Sequence, residues 1–336
     1  MVHLRIVAPQ QHTARALELL ERSESVCNVV LLEGAARRPS GDVILADVAR
    51  EDASVVVADL KELGIQRDGS ISIEPIDTLI SDHAERAVER APGAPADAVV
   101  WEEVEARTDE NVELSAVFLA FMVIAGLLAA VGIYEDSPIL IVGAMVVGPE
   151  FGPLAGICVA LVQRRKDVAL RSLAALAAGF PLSIAVVYAS THIFKATGLF
   201  PDTFSSQGHS LHNIIASPDF FTFFVAACAG AAGMLSLSTA KSGALIGVLI
   251  SVTTIPAAAN VGVSAAYTQW DEAGGSLAQL GINLGAIILA GTAVLALQRR
   301  LYAKRRAKHM RDPERRAAGL PARPTSPATT RSRPSS

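Results

Sequence analysis

The sequence predicts a multi-pass α-helical membrane protein with a small α+β domain ahead of it. Three observations carry that prediction. Of the 336 residues, 51% are hydrophobic and only 18% charged, with a mean hydropathy of +0.39. The charge gathers in residues 1–112 and 299–336. Between them lie six apolar stretches, at 114–133, 138–162, 169–194, 220–236, 243–267 and 277–297. About 20 apolar residues cross the hydrocarbon core of a bilayer, so each stretch reads as a span.

Taken in order, the first 77 residues alternate strand and helix patterns. LRIVAP is a strand and QQHTARALELLERS a helix; VCNVVLLEG and DVILADVAR are strands joined by the turn-rich ARRPSG. DASVVVADLKELG is a second helix ending at Gly64, and SISIEPI a last strand. The plan is βαββαβ, the ferredoxin-like split βαβ. The start, MVHLRIVAPQQHTARALE, lacks a charged n-region before an apolar core, so no signal peptide is expected. Cys27, Cys158 and Cys228 lie far apart, with no CxxC and no His pair, so neither a disulfide framework, a metal site nor a cofactor is expected. Residues 78–112 read as a charged helical linker interrupted by Pro92 and Pro95.

Lys and Arg next to the spans set orientation. QRRKDVALR follows the second span, STAKSG the fourth and QRRLYAKRRAKHMR the sixth, whereas YEDS, residues 195–219 and YTQWDEAGGS are poor in basic residues. Six spans then place both termini in the cytoplasm of a bacterial plasma membrane. Residues 299–336, basic and then rich in Pro, Ser and Thr, read as a disordered tail attracted to anionic lipid headgroups rather than to nucleic acid.

The second span contains GAMVVGPEFGPLAG. Pro149 and Pro153 each remove a backbone donor and collide with the carbonyl four residues back, while Gly148 and Gly152 let the chain turn. Pro153 is expected to open a new half-helix. Unpaired backbone and the Glu150 carboxylate are too costly to face lipid, so both should turn inward. One reading makes this a packing kink with Glu150 capping its own half-helix; the favoured one makes it a solute or ion site.

The fifth span carries Thr253, Thr254 and Pro256, with Asn260 one turn later. Setting Pro256 against Pro153 puts Thr253 opposite Glu150. Each break falls in the middle span of a three-span half, so the halves cross in opposite directions, a 3+3 inverted repeat of the kind secondary transporters use. Asn283, Ser236, Ser238 and Thr239 are secondary polar positions, read first as interhelical hydrogen bonds, and His192 as an interface residue. Gly243/Gly247 and Gly281/Gly285 are read as close-packing pairs.

The quoted break, the second proline-centred span and the βαββαβ head together resemble a bacterial hydrophobic integral-membrane family, domain of unknown function 389. The resemblance runs over about 114–297, and Gly143, Ala144, Met145, Pro149, Gly152 and Pro153 match its habit. Glu150 departs from it, since many members carry an apolar residue there. The family has no established activity, so the resemblance implies architecture and no substrate.

The expectation is a transporter or channel for a small solute or ion, with a homo-oligomeric assembly. Glu150 would act as cation ligand or proton carrier, and Thr253, Thr254, Asn260 and Asn283 would supply neutral polar groups. The alternative is a scaffold or sensor whose head binds a ligand or partner. GxSxG, HExxH and phosphate-loop motifs are missing, so an enzyme is not expected.

Overall fold

Side-chain alternation decides the N-terminal sheet in the computed structural model, which describes residues 1–91, 98–201, 212, 215–217, 219–239 and 253–310. In β1 (Val2–Ala8), Val2, Leu4, Ile6 and Ala8 point into the core; in β3 (Ser40–Val48), Ile44, Ala46 and Val48 do. A period of two is what a half-buried strand requires. Helices α1 (Gln10–Arg22) and α2 (Arg50–Glu62) cover that face with Ala16, Leu19 and Leu20, and with Ala53, Val56, Val57 and Leu60. With β2 (Val26–Arg37) and β4 (Ser70–Pro75) the strand order is β2-β3-β1-β4, every pair antiparallel. Each helix therefore connects two strands that flank a third, which is the split βαβ arrangement.

Two details depart from the sequence reading. β2 runs to Arg37 and meets β3 through a tight turn, because two register shifts, between Cys27 and Val30 and between Leu32 and Ala36, let it continue. Asn28 and Gly34 take positive φ there (52° and 61°). Asp42 pins the second irregularity: its carboxylate accepts the Gly34 N–H at 2.8 Å and the Thr13 hydroxyl at 2.6 Å. Gly64, at φ 84°, separates α2 from the short α3 (Ile65–Asp68), which the sequence reading did not contain.

The structure overturns the reading of 299–309 as disordered tail. The last helix continues to His309, and its residues from Arg300 onward belong to the same unit as Met1–Val100. Arg306 pairs with the buried Asp59 and, at 2.7 Å, with Glu62; His309 Nε2 stands 2.8 Å from Asp59. Tyr302 donates to Ser54 O at 3.3 Å. Carboxylates of α2 are thus the partners of Arg306 and His309. Residues 311–336 lie outside the described residues.

The second unit is Trp101–Arg299. After α4 (Asp82–Arg90) of the first unit come α5 (Trp101–Asn111), α6 (Ala116–Tyr134), α7 (Pro138–Val147), α8 (Phe151–Gln163), α9 (Lys166–Ala196), α10 (Phe220–Ser238), α11 (Thr254–Ala266) and α12 (Trp270–His309). Four of these, α6, α9, α10 and α12, are long and apolar enough to cross a membrane, and α7 with α8 makes a fifth if the bent pair is one span. The first half of the expected fifth span, 243–252, lies outside the described residues, as do Gly243 and Gly247. Large apolar side chains such as Val117, Leu170, Phe220 and Phe221 are exposed on this unit, as a lipid-facing surface demands.

α9 sets its depth. Thirty-one residues span roughly 46 Å at 1.5 Å per residue. At its start Arg165 and Arg171 pair with Asp109, at 3.2 and 3.6 Å. Near its end Lys195 lies 4.3 Å from the centre of the Tyr267 ring, Tyr267 donates to Pro201 O, and Tyr134 stacks on Phe200. The loops poor in basic residues thus meet at one end, and the basic loop after α8 at the other.

α5, helical as expected within 78–112, packs on α8 inside the second unit, where Gly152 leaves room for Asn111 and Gly156 for Val112. One expectation fails here. Gly281 and Gly285 have no described atom near a notional Cβ; the close crossing is instead made by Gly230 against Ile287 and Gly291 against Met234.

Candidate functional site

α7 ends at Val147 and α8 begins at Phe151, at an angle of 51°. Pro149 cannot donate and forbids a continuous helix. Pro153 is the third residue of α8, not its first; the initial N–H groups of a helix have no intrahelical acceptor, so a proline there removes nothing. α11 is built the same way. It too has 13 residues, and Pro256 is its third. Glu150 and Thr253 are the respective N-cap residues, and neither caps its own helix with its side chain. Leu154 N–H donates to Glu150 O and Ala257 N–H to Thr253 O, both at 3.2 Å. The capping role considered for Glu150 is therefore not the one it plays.

The two helix starts meet. Thr254 Oγ1 donates to Glu150 Oε1 at 2.6 Å, with Glu150 4% exposed and Thr254 fully buried. From this point the helices run apart: α8 ends beside Arg165, at the start of α9, and α11 ends at Tyr267, beside the end of α9. Two N-terminal dipoles, each about half a positive charge, thus converge on one carboxylate and offset its charge.

A polar stripe of α12 completes the floor. Ser276, Gln279 and Asn283 are spaced three and four residues apart and fall on one helix face. Asn283 Nδ2 donates to Thr253 Oγ1 at 3.0 Å, and Gln279 Nε2 lies 3.5 Å from the same oxygen. Asn260 forms a separate cluster, six residues or roughly 9 Å beyond Thr254 along α11. It donates to Ser276 at 2.8 Å, and its Oδ1 stands 2.7 Å from His212 Nδ1. Ser238 and Gln298 make the interhelical bond expected of the fourth span, at 2.9 Å. His192 is exposed and contacts Tyr188 edge-on.

Two oxygens in this floor have no hydrogen-bond partner among the described residues: Glu150 Oε2 and Gln279 Oε1. Buried acceptors left unpaired cost about 1–3 kcal/mol each, more when charged. Oε2 sits against the bare Cα of Gly148; a Cβ there would collide with it and stand 2.7 Å from Ile255 Cγ1. Gly148 also lines a groove of about 380 Å³ between the break and the end of α5. Pro149 and Gly152 line it, together with Glu110, Asn111 and Glu113.

Of the sequence-derived site residues, the fold brings Glu150, Thr253, Thr254 and Asn283 together, with Gly148 beside them. Pro149 and Gly152 face the groove, Pro153 and Pro256 shape helix starts, and Asn260 stands apart. The sequence reading missed Ser276 and Gln279, although polar residues at helical spacing in an apolar run were a usable signal. It also missed His212 and Asn111, which lie outside the spans and carry no such signal.

Fold and composition define a multi-helix membrane protein with a small antiparallel-sheet domain. Residues 145–289, which contain both helix starts, match the family described as "Domain of unknown function (DUF389)". An uncharacterized protein of Methanocaldococcus jannaschii, MJ0678, is 24% identical over 196 residues, covering 57% of this chain and 58% of its own length. The chain thus spans less than two thirds of that relative. No solved structure matches.

Proposed function

We propose that the protein is a secondary transporter or channel for a small solute or ion, acting where α8 and α11 begin. The observation that carries this reading is the Thr254–Glu150 hydrogen bond between the two helix starts, with the second carboxylate oxygen left unpartnered among the described residues. Paired helix starts that meet at depth and run in opposite directions are the architecture of an inverted-repeat transporter site. Buried ionisable groups inside spans are expensive and mark solute or proton pathways.

Arg306 and His309, on the C-terminal end of α12, pack on α2 of the N-terminal domain. This favours both termini on one side and an even number of crossings. Our reading is six crossings, with the side that carries the basic loops in the cytoplasm of a bacterial plasma membrane, as the distribution of Lys and Arg supports.

The test is flux in vesicles reconstituted with the full chain, under imposed ion and pH gradients and with a panel of small solutes. Glu150→Gln keeps an acceptor for Thr254, so it should fold and lose gradient-driven flux. Full activity in that variant removes the carboxylate from the mechanism. Inactive wild type with a well-folded head favours the scaffold or sensor alternative, for which the tie between α12 and the head is the supporting feature.

A further inference from the structure

We infer that the groove between α5 and the first helix break is the access route by which a proton reaches Glu150, passing Gly148. The inference rests on the transport reading and specifies its ion. Three features converge on it.

The first is the unpartnered atom. Glu150 Oε2 is buried, accepts nothing from the described residues, and lies at Gly148. A lone carboxylate lone pair asks for a donor. A proton satisfies it with one bond, whereas an alkali cation needs a shell of several oxygens.

The second is the absence of a fixed counter-charge among the described residues. α6, α7 and α11 carry no charged side chain. On α5, Arg107 lies 3.9 Å from Glu103. Arg165 and Arg171 share Asp109 and Asp167. On α9, Lys195 covers Tyr267. Among the described residues the two helix starts offset Glu150, each by a partial charge, so the carboxylate can gain and release a proton without breaking an ion pair to any of them.

The third is the groove. Its wall includes Gly148, and its rim carries the exposed Glu110 and Glu113. Acidic groups at an entrance raise the local concentration of cations, hydronium included. Gly148 links the two: it lines the groove, and a side chain on it would run into Oε2. The step balances simply. A hydronium in the groove passes its proton to Oε2, leaving water and a neutral carboxylic acid, and the reverse step returns it.

The experiment follows the carboxylic-acid band of Glu150 by infrared difference spectroscopy after a pH jump, on the full chain in lipid nanodiscs. The wild type should show a pH-dependent band that Glu150→Gln lacks. To close the groove after folding, Glu113→Cys in a Cys27→Ser/Cys228→Ser background is labelled with a bulky maleimide. Labelling should slow the response at least tenfold, while the unlabelled variant stays near wild type. Gly148→Ala should slow it too.

An unchanged rate in the labelled protein overturns the route. A band that responds to Na⁺ or K⁺ at constant pH, and not to pH, overturns the proton in favour of an alkali cation. Failure of solute flux in vesicles would sink the transport reading while leaving the titration of Glu150 standing, so the two failures are separable.

Discussion

Three buried carboxylates of the N-terminal unit are held in a way that Glu150 of the membrane unit is not. In the N-terminal unit Asp42 is held by Thr13 and Gly34, Asp47 by His3 and Asn28, and Asp59 by Arg306 and His309. Glu51 is the exception: its carboxylate oxygens are buried without a hydrogen-bond partner among the described residues, and burial pushes its carboxyl up. In the membrane unit Glu150 has a single neutral donor and a bare second oxygen. Asp42, Asp47 and Asp59, which tie elements of the head together, are each held by two partners. An acid that must exchange a ligand keeps a lone pair free, and the fold accepts the cost.

Four measurements would sharpen or break this contrast. The largest effect is expected from Arg306→Ala, which strips a buried carboxylate of its main cation; a loss of about 3 kcal/mol is the usual scale. Hydrogen exchange of residues 50–62 reads it, and protection equal to wild type would mean that the Asp59 cluster is not structural. Thr254→Val should come next. It leaves both Glu150 oxygens without a donor at a cost of about 2 kcal/mol, visible as a lower melting temperature in detergent, and Thr254→Ser should restore it.

Acid sensitivity of the head is third. The Thr13 hydroxyl, and after it the Gly34 amide, hold the Asp42 carboxyl below its ordinary value of 3.8. Its contribution is fully present above that value and is lost as pH falls through the lower folded one. Asp42→Asn should flatten this acid limb in hydrogen exchange of residues 34–42; an unaltered limb would assign the transition elsewhere. The smallest stability change belongs to Glu150→Gln, expected within about 1 kcal/mol of wild type because the acceptor for Thr254 survives. A loss as large as that of Arg306→Ala would make Glu150 a structural acid like those of the head.

Reading the chain without its fold located the break and its carboxylate, because prolines, glycines and an acid in an apolar run violate helix and lipid rules at identifiable positions. The alignment of Pro153 with Pro256 set Thr253 opposite Glu150, and the two are the N-cap residues of their helices. The contact runs to the neighbour, Thr254, since which of two adjacent hydroxyls faces a carboxylate depends on helix rotation. The polar face of α12 was written in Ser276, Gln279 and Asn283, though only Asn283 was read. The placement of α5 at the break was not legible, since its charged sequence looks like any solvated helix.

Sequence alone thus determined which segments seek lipid, where a helix must stop, and the alternation that builds the sheet, all properties set by local periodicity and backbone chemistry. Tertiary structure decided which interruptions touch, that Arg306 and His309 pair with Asp59 of α2, and that one carboxylate oxygen faces a glycine beside a groove. Those depend on contacts between residues a hundred or more positions apart, such as Glu150 with Thr254 and Asp59 with Arg306, and no local rule encodes such pairings.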